Sequence, residues 1–227
     1  EKFLEMFRSE ARSLAAFHHS NVLTVHDFGR DGDRYFLVME LLEGRSLKEI
    51  MTESGSMPPE RAFALLVEIC AAVDAAHRAG IVHLDLKGEN VIINESVSPP
   101  EVKVLDFGLA KLAGGASPSA EDGTVMGTVG YMAPEQIMGR RVDERTDVYA
   151  LGVLAFAMLT GELPFEGDAK SQILRAQLDG RVRKWPKTPL TAILPRRTRN
   201  EIDAAMNPDP NRRPQAVEEL AAAFQEG

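Results

Sequence analysis

One loop constrains this chain more than any other feature, because it concentrates three chemically active side chains between two regular elements. It carries a carboxylate, an ammonium group and an amide at Asp85, Lys87 and Asn90. The stretch before it, 58–79, repeats apolar residues at helical spacing, and the stretch after it, 91–94, is a short apolar run typical of a strand. We therefore expect a helix, a polar loop and a strand in that order, with the three groups held together on the loop.

A second carboxylate, Asp106, follows after a pair of strands expected at 91–94 and 101–105. It opens an Asp-Phe-Gly triplet at 106–108, and an Ala-Pro-Glu triplet comes later at 133–135. Phosphoryl transfer needs such a set, since a carboxylate must accept the proton of the attacking hydroxyl, a cation must offset charge on the transferred group, and oxygen ligands must hold magnesium. The residue types therefore indicate phosphoryl-transfer chemistry.

In this order the motifs resemble the catalytic loop, the magnesium-binding loop and the end of the activation segment of protein kinases. The resemblance covers essentially the whole chain and is to eukaryotic-type serine/threonine kinase catalytic domains, in particular those of bacteria. It implies an α+β, protein-kinase-like fold. Residues 1–41 would be an incomplete small lobe with the C-helix and two strands, and residues 42–227 a mainly α-helical large lobe.

The resemblance also implies roles for the loop residues. Asp85 would be the catalytic base, Lys87 would steady the γ-phosphate, and Asn90 with Asp106 would ligate the metal. The implied cofactors are ATP and Mg²⁺, with Mn²⁺ as the alternative ion, and the implied partner is a protein with a serine or threonine acceptor. Lys87 and Thr128, which matches a threonine that contacts the catalytic aspartate and lysine, are typical of serine/threonine specificity.

Other positions are assigned by the resemblance alone. Six residues are implied to bind the nucleotide. Glu10 would be the C-helix glutamate, Met39 the gatekeeper, and Glu40 and Leu42 the hinge residues. Ser46 would contact the ribose, and Ile92 would lie beneath the adenine. Two more are implied to be structural: Asp147 would bind the catalytic-loop backbone, and Arg213 would pair with Glu135.

Two departures from the family pattern carry consequences. Leu84 stands where most members have an arginine that receives an activation-loop phosphate, and leucine cannot form that charge-assisted pair. We hypothesise that activity does not require phosphorylation through this route, although hydroxyls at Ser117, Ser119, Thr124 and Thr128 are available. No glycine-rich loop and no strand lysine precede Glu10, so we expect an incomplete kinase domain that is weakly active or inactive alone.

Two other classes of function remain open at this point. A pseudokinase used as a binding or scaffold module would explain the missing phosphate loop, but Asp85, Lys87, Asn90 and Asp106 are all retained. A small-molecule phosphotransferase of the choline or aminoglycoside type would share the aspartate-and-asparagine loop. The lysine at 87 and the two triplets favour the protein kinase.

The remaining local patterns predict a helix over 1–17, strands over 21–28 and 34–42 joined by a turn at 29–33, and a short helix over 46–52. Gly44 is expected to break the second strand. The small and polar stretch 112–123 is expected to be a mobile loop within the domain. From about residue 106 onward, helices should dominate.

The composition of the chain limits which partners and which cellular compartment we expect. The formal net charge is −8, from 26 Lys and Arg against 34 Asp and Glu, which disfavours nucleic acid, and the basic runs 181–187 and 196–199 are expected to be solvated faces. With Cys70 as the single cysteine, no intrachain disulfide can form. The longest apolar run, 148–160, is too short to span a membrane, so we expect a buried helix and a cytoplasmic segment, whose parent could be anchored elsewhere.

Overall fold

The computed structural model describes residues 17–32, 34–107 and 128–226. The predicted helix over 1–17 therefore lies outside the described residues except for Phe17, which is not helical. The same holds for Glu10, for the loop 112–123, and for Ser117, Ser119 and Thr124. These predictions stay predictions.

An antiparallel hairpin forms the first part of the described chain. Strand β1 (Val25–Asp31) pairs with β2 (Arg34–Met39), with Val25 opposite Met39 and Asp31 opposite Arg34. The hairpin was predicted, but the extent of its turn was wrong, because positions 29–31 belong to β1. Gly29 allows this, since a Cβ there would lie 2.4 Å from the Phe36 ring across the pair. Gly32, with φ +57°, makes the turn.

A three-stranded antiparallel sheet borders the polar loop. Its order is β3 (Arg45–Ser46), β4 (Val91–Asn94) and β5 (Glu101–Val104). Residues 21–24 were predicted as strand with the hairpin but instead meet β5, through Leu23 N to Val104 O at 3.0 Å and Val104 N to Asn21 O at 2.8 Å. This contact joins the hairpin region to the large lobe.

Two helices lie between β3 and β4 in sequence. Helix α1 (Leu47–Ser54) begins after a Ser46 cap, and α2 (Pro59–Arg78) ends before Gly80, whose φ of +74° suits a helix terminus. The buried face of α2 includes all six residues predicted for it, which are Ala62, Leu65, Leu66, Ile69, Val73 and Ala76. Cys70 is buried beside them, and burial raises the pKa of its thiol, so an inert thiol is expected.

Helices dominate the rest of the described chain. The helices are α3 (Pro134–Ile137), α4 (Glu144–Thr160), α5 (Lys170–Leu178), α6 (Pro189–Ala192), α7 (Arg196–Ala205) and α8 (Val217–Gln225). Every residue of α4 from Thr146 to Leu159 is buried, as the apolar run predicted, and α4 packs on α2 and α7. The helix thus forms the centre of the core.

Together these elements confirm the predicted α+β class, with few strands and a mainly helical large lobe. The domain boundary between residues 41 and 42 remains a prediction. Within the described ranges, no helix combines the length and apolar character that crossing a membrane requires.

Candidate active site

The loop that carries the predicted catalytic residues runs from the end of α2 to β4. A 3-10 turn at Gly88–Asn90 closes it, and Leu105 N donates to Asn90 O at 2.9 Å. Because Leu105 directly precedes Asp106, this bond fixes the loop against the strand end that carries the second predicted carboxylate. The antiparallel pairing of β4 and β5 is what brings these two chain segments together.

Four of the predicted residues meet in one cluster. Lys87 Nζ lies 2.7 Å from Asp85 Oδ2 and 2.8 Å from Thr128 Oγ1. Asn90 Nδ2 donates to the Asp85 carbonyl at 2.9 Å and lies 3.4 Å from its carboxylate. Asp85 and Lys87 keep part of their side chains exposed, at 26% and 18%. The cluster therefore combines a carboxylate open to solvent with a cation already placed beside it.

The predicted metal donors lie on the two fixed segments. The nitrogen of the Asn90 amide is held by the loop, which leaves its oxygen as the atom that can ligate a cation. Asp106 is exposed and has φ +57°, which is unusual for a residue other than glycine. Carboxylate and amide oxygens suit Mg²⁺. Among the described residues no group of three His, Cys, Asp or Glu could hold a metal, so these two donors need further oxygens, such as phosphate oxygens.

Asp147, at the start of α4, binds the backbone of the loop that carries Asp85. Its carboxylate is fully buried and accepts hydrogen bonds from His83 N and Leu84 N, both at 2.8 Å. The same group lies 2.7 Å from His77 Nε2 at the end of α2. Sequence reasoning missed His77, although it lies four residues after Val73 on the buried face of α2, a spacing that could have indicated it.

His83 connects the loop to the Asp-Phe-Gly segment. Its ring is fully buried and packs on Phe107, with ring centroids 4.6 Å apart. Burial lowers the pKa of His83, although the Asp147 and Asp85 charges oppose this effect. The histidine is therefore expected to be neutral and to act as a spacer between Asp85 and Asp106.

A buried ion pair supports the segment that follows Thr128. Arg213 donates to both carboxylate oxygens of Glu135, at 2.7 and 2.8 Å, and its guanidinium lies over the Tyr149 ring. Thr146 Oγ1 donates to Glu135 as well, at 2.8 Å. The structure thus places Glu135 and Arg213 together, with their hydrogen bonds satisfied by α4 and by the chain before α8.

The predicted nucleotide-binding residues divide between two neighbouring cavities. Met39 lines an apolar cavity with Asp106 and Phe107. The other hinge and adenine positions line a more polar cavity together with Lys103 of β5; these are Glu40, Leu42 and Ile92. Ser46 lies apart from both lining sets, and its hydroxyl contacts Glu49 at 2.8 Å as part of the α1 cap. Its ribose contact stays a prediction.

Lys103 is a second residue that sequence reasoning missed. Its Nζ lies 3.1 Å from Glu40 Oε1, and the same oxygen accepts from Thr24 N at 2.7 Å. Partial burial raises the pKa of Glu40, but the hydrogen bonds from Thr24 and Lys103 and the lysine charge outweigh it and lower the pKa overall. The pairing of β4 with β5 places Lys103 opposite the partly buried Ile92. The contact of Lys103 with Glu40 could not be predicted from the sequence, because the two residues are distant along the chain.

Known relatives share this chain's pattern. A 43% identity over 182 residues links it to the serine/threonine-protein kinase PknL of Mycobacterium tuberculosis, covering 80% of this chain and 45% of the relative. The kinase pkn2 of Myxococcus xanthus is 39% identical over 227 residues, covering 97% and 27%. PrkC of Bacillus subtilis is 33% identical over 224 residues, covering 97% and 33%. The chain thus spans less than half the length of these curated relatives.

The relatives are bacterial serine/threonine kinases, as the resemblance predicted. Use of ATP with a divalent metal is general among protein kinases, and the donors at Asn90 and Asp106 fit that use. Residues 1–224 match the family model described as protein kinase domain. The chain belongs to the protein kinase domain family.

Proposed function

We propose that the protein is a serine/threonine protein kinase that transfers the γ-phosphoryl group of ATP to a protein hydroxyl. The observation that carries this proposal is the cluster in which Lys87 contacts both Asp85 and Thr128. A tether between a base, a cation and a threonine of the activation segment suits a hydroxyl acceptor on a polypeptide. The names of the relatives support the serine/threonine class.

In this proposal Asp85 orients the acceptor hydroxyl and accepts its proton, because its carboxylate is partly exposed and is held by Lys87, while Asn90 donates to its backbone carbonyl. A bond forms between the acceptor oxygen and the γ-phosphorus, and the bond from the γ-phosphorus to the oxygen that bridges the β- and γ-phosphates breaks, releasing ADP. Lys87 lies where it offsets negative charge on the transferred group. The side chains of Asn90 and Asp106 would hold Mg²⁺, or Mn²⁺, which neutralises charge on the phosphates when bound.

The predicted partners follow from the same chemistry and stay proposals. They are ATP, a protein with a serine or threonine acceptor, and no nucleic acid, in keeping with the net charge of −8. A cytoplasmic location is proposed on the same basis, because ATP-dependent signalling of this kind acts there. Phosphorylation at 117, 119 or 124 is proposed to be dispensable, because Leu84 cannot pair with a phosphate.

The scaffold alternative predicts binding without turnover, whereas the cluster retains the carboxylate, the cation and the amide of the catalytic loop. The small-molecule alternative gains no support, since the relatives are protein kinases. Offering choline and an aminoglycoside beside a protein acceptor tests it directly.

The decisive experiment compares Asp85→Asn with the unaltered protein, using residues 1–227 and the protein extended to the start of its reading frame. Radiolabelled ATP, Mg²⁺ and a generic protein acceptor are supplied. We expect Asp85→Asn to lower kcat by about a hundredfold or more, since it removes a general base. The control Asp168→Asn alters an exposed carboxylate in the loop before α5 and should change nothing.

Serine or threonine phosphorylation that depends on Asp85 would support the proposal. If neither form of the protein phosphorylates the acceptor while both bind ATP, the scaffold alternative replaces it. Equal activity of Asp85→Asn and the unaltered protein would also overturn it.

A further inference from the structure

One side chain outside the predicted set connects the two segments of the site. Gln136, in α3, donates from Nε2 to the Leu84 carbonyl at 2.7 Å, and its Oε1 accepts from Ala133 N at 2.9 Å. The amide therefore bridges the loop that carries Asp85 and the segment that carries Thr128. Sequence reasoning gave this glutamine no role.

The two partners fix the direction of this amide. A flipped group would set its NH₂ against the Ala133 N–H and its oxygen against the Leu84 carbonyl, so both hydrogen bonds would be lost. Gln136 is therefore a directional link, with its donor committed to the catalytic loop and its acceptor committed to the anchor segment, by which we mean residues 128–135.

The carbonyl that Gln136 binds belongs to the peptide unit between Leu84 and Asp85. Since a peptide unit is planar, its C=O and its N–H turn together. The N–H end of the same unit, Asp85 N, donates to His83 Nδ1 at 3.3 Å. Gln136 and His83 thus hold the plane from opposite sides, directly before the Cα that carries the catalytic carboxylate.

This peptide needs such support. Leu84 has φ +68°, in the left-handed region that leucine rarely adopts, and such a conformation persists only where the surroundings impose it. Asp147 supplies one restraint through Leu84 N, and Gln136 supplies the other through Leu84 O. Without the restraint from Gln136, only the 3.3 Å hydrogen bond from Asp85 N to His83 Nδ1 opposes rotation of this plane.

We propose that Gln136 is a positioning residue that holds the Leu84–Asp85 peptide so that the Asp85 carboxylate faces the acceptor hydroxyl. This inference rests on the proposed kinase function and deepens it. The link is uncharged and lies at the residue that replaces the phosphate-receiving arginine. It therefore couples the anchor segment to the catalytic loop without requiring a phosphate.

Two substitutions separate the ends of the link. Gln136→Met removes both polar ends with little change in volume. Gln136→Glu keeps an acceptor for Ala133 N but loses the donor to Leu84. Because the proposal assigns the effect to the Leu84 end, both variants should lower kcat by about tenfold or more, given that a 1 Å displacement costs about a hundredfold. The KM for ATP should change little, since Gln136 lines neither nucleotide cavity.

Hydrogen–deuterium exchange on residues 1–227 gives a second readout that does not depend on turnover. We expect faster exchange in the peptide that covers residues 83–90 in both variants. Gln177→Met is the matched control, because the buried Gln177 amide also joins two backbone groups, Gly130 N and Met132 O, but none in the catalytic loop. It should cost a similar amount of stability and leave exchange at 83–90 unchanged.

The outcomes separate this inference from the function it rests on. If Asp85→Asn abolishes activity but Gln136→Glu keeps the original kcat and exchange, Gln136 is not a positioning residue and the kinase assignment stands. If Gln177→Met speeds exchange at 83–90 as much as Gln136→Met, the effect is general loosening and the inference is wrong. If Asp85→Asn leaves activity unchanged, the proposed function itself has failed.

Discussion

The helical platform behind the catalytic loop and the β1–β2 hairpin differ in which side chains they bury and which they expose. In the platform, polar groups are buried and paired: Asp147 is fully buried, and Arg213 is 3% exposed. In the hairpin, apolar groups are open, with Val38 44% and Met39 43% exposed. The geometry of Asp85 is therefore set by buried polar contacts of the large lobe, while the hairpin contributes part of the lining of the apolar cavity.

The two regions should therefore differ in how well they tolerate substitution. A buried ion pair broken on one side leaves an unpaired charge away from water, and that charge is costly. An exposed strand residue leaves its replacement in contact with solvent and costs little. Stability and the position of the catalytic carboxylate should therefore depend on the same platform residues.

The largest expected effect is at the Glu135–Arg213 pair. Arg213→Met leaves the Glu135 carboxylate buried without its bidentate partner, and we expect the free energy of unfolding to fall by about 3–5 kcal/mol. Urea titration followed by circular dichroism measures this. The matched control is Arg181→Met, which removes the exposed pair of Arg181 with Asp179 and should cost less than about 1 kcal/mol. Equal losses in the two variants would erase the contrast.

An effect of intermediate size is expected when the same valine-to-threonine substitution is made at a buried and at an exposed position. Val104→Thr buries a hydroxyl at a fully buried position of β5 and should cost about 1–3 kcal/mol. Val38→Thr makes the same change at an exposed position of β2 and should stay within about 0.5 kcal/mol. Thermal unfolding of the two single variants decides the point. A large loss in Val38→Thr would mean that the hairpin face is covered in solution.

The smallest expected effect is at the Glu40–Lys103 pair, which joins the two regions. Both side chains are partly exposed, so Lys103→Met should cost less than about 1 kcal/mol at neutral pH. The folded pKa of Glu40 is lowered, so its stabilisation is present above the ordinary glutamate pKa and is lost as the pH falls through the folded value.

The difference in melting temperature between Lys103→Met and the unaltered protein should therefore shrink below about pH 4. Glu101→Gln serves as the control, since Glu101 Oε1 lies 3.9 Å from the same lysine, too far for a hydrogen bond. A difference that stays constant down to pH 3 would argue against the pair.

Much of the fold could be predicted because its elements have strong local patterns. The apolar stripe of α2 and the glycine after it define that helix, and the strand at 91–94 was placed correctly. The turn at 29–33 was misplaced because turn residues indicate a bend without fixing its register. That register depends on Gly29 fitting beneath Phe36 across the strands, a contact between chain segments.

The residues of the site likewise fall into those that could be predicted from the sequence and those that could not. Asp85, Lys87 and Asn90 lie within one short segment, so their meeting could be predicted from the motif. His77, Lys103 and Gln136 act on residues that are distant in sequence, and common polar residues carry no local signature of such a contact. Only the packing of α2, α3 and β5 shows which backbone group or carboxylate each one binds.

The left-handed backbone at Leu84 and Asp106 has a consequence for protein engineering. These are the non-glycine residues with positive φ in the described part of the chain, and both adjoin the catalytic cluster. Glycine would relieve the strain at either position, so a search for thermostable variants should favour it there. Selection for heat resistance alone would therefore act against the proposed activity, because Asp106→Gly removes a predicted metal donor and Leu84→Gly adds backbone freedom directly before Asp85.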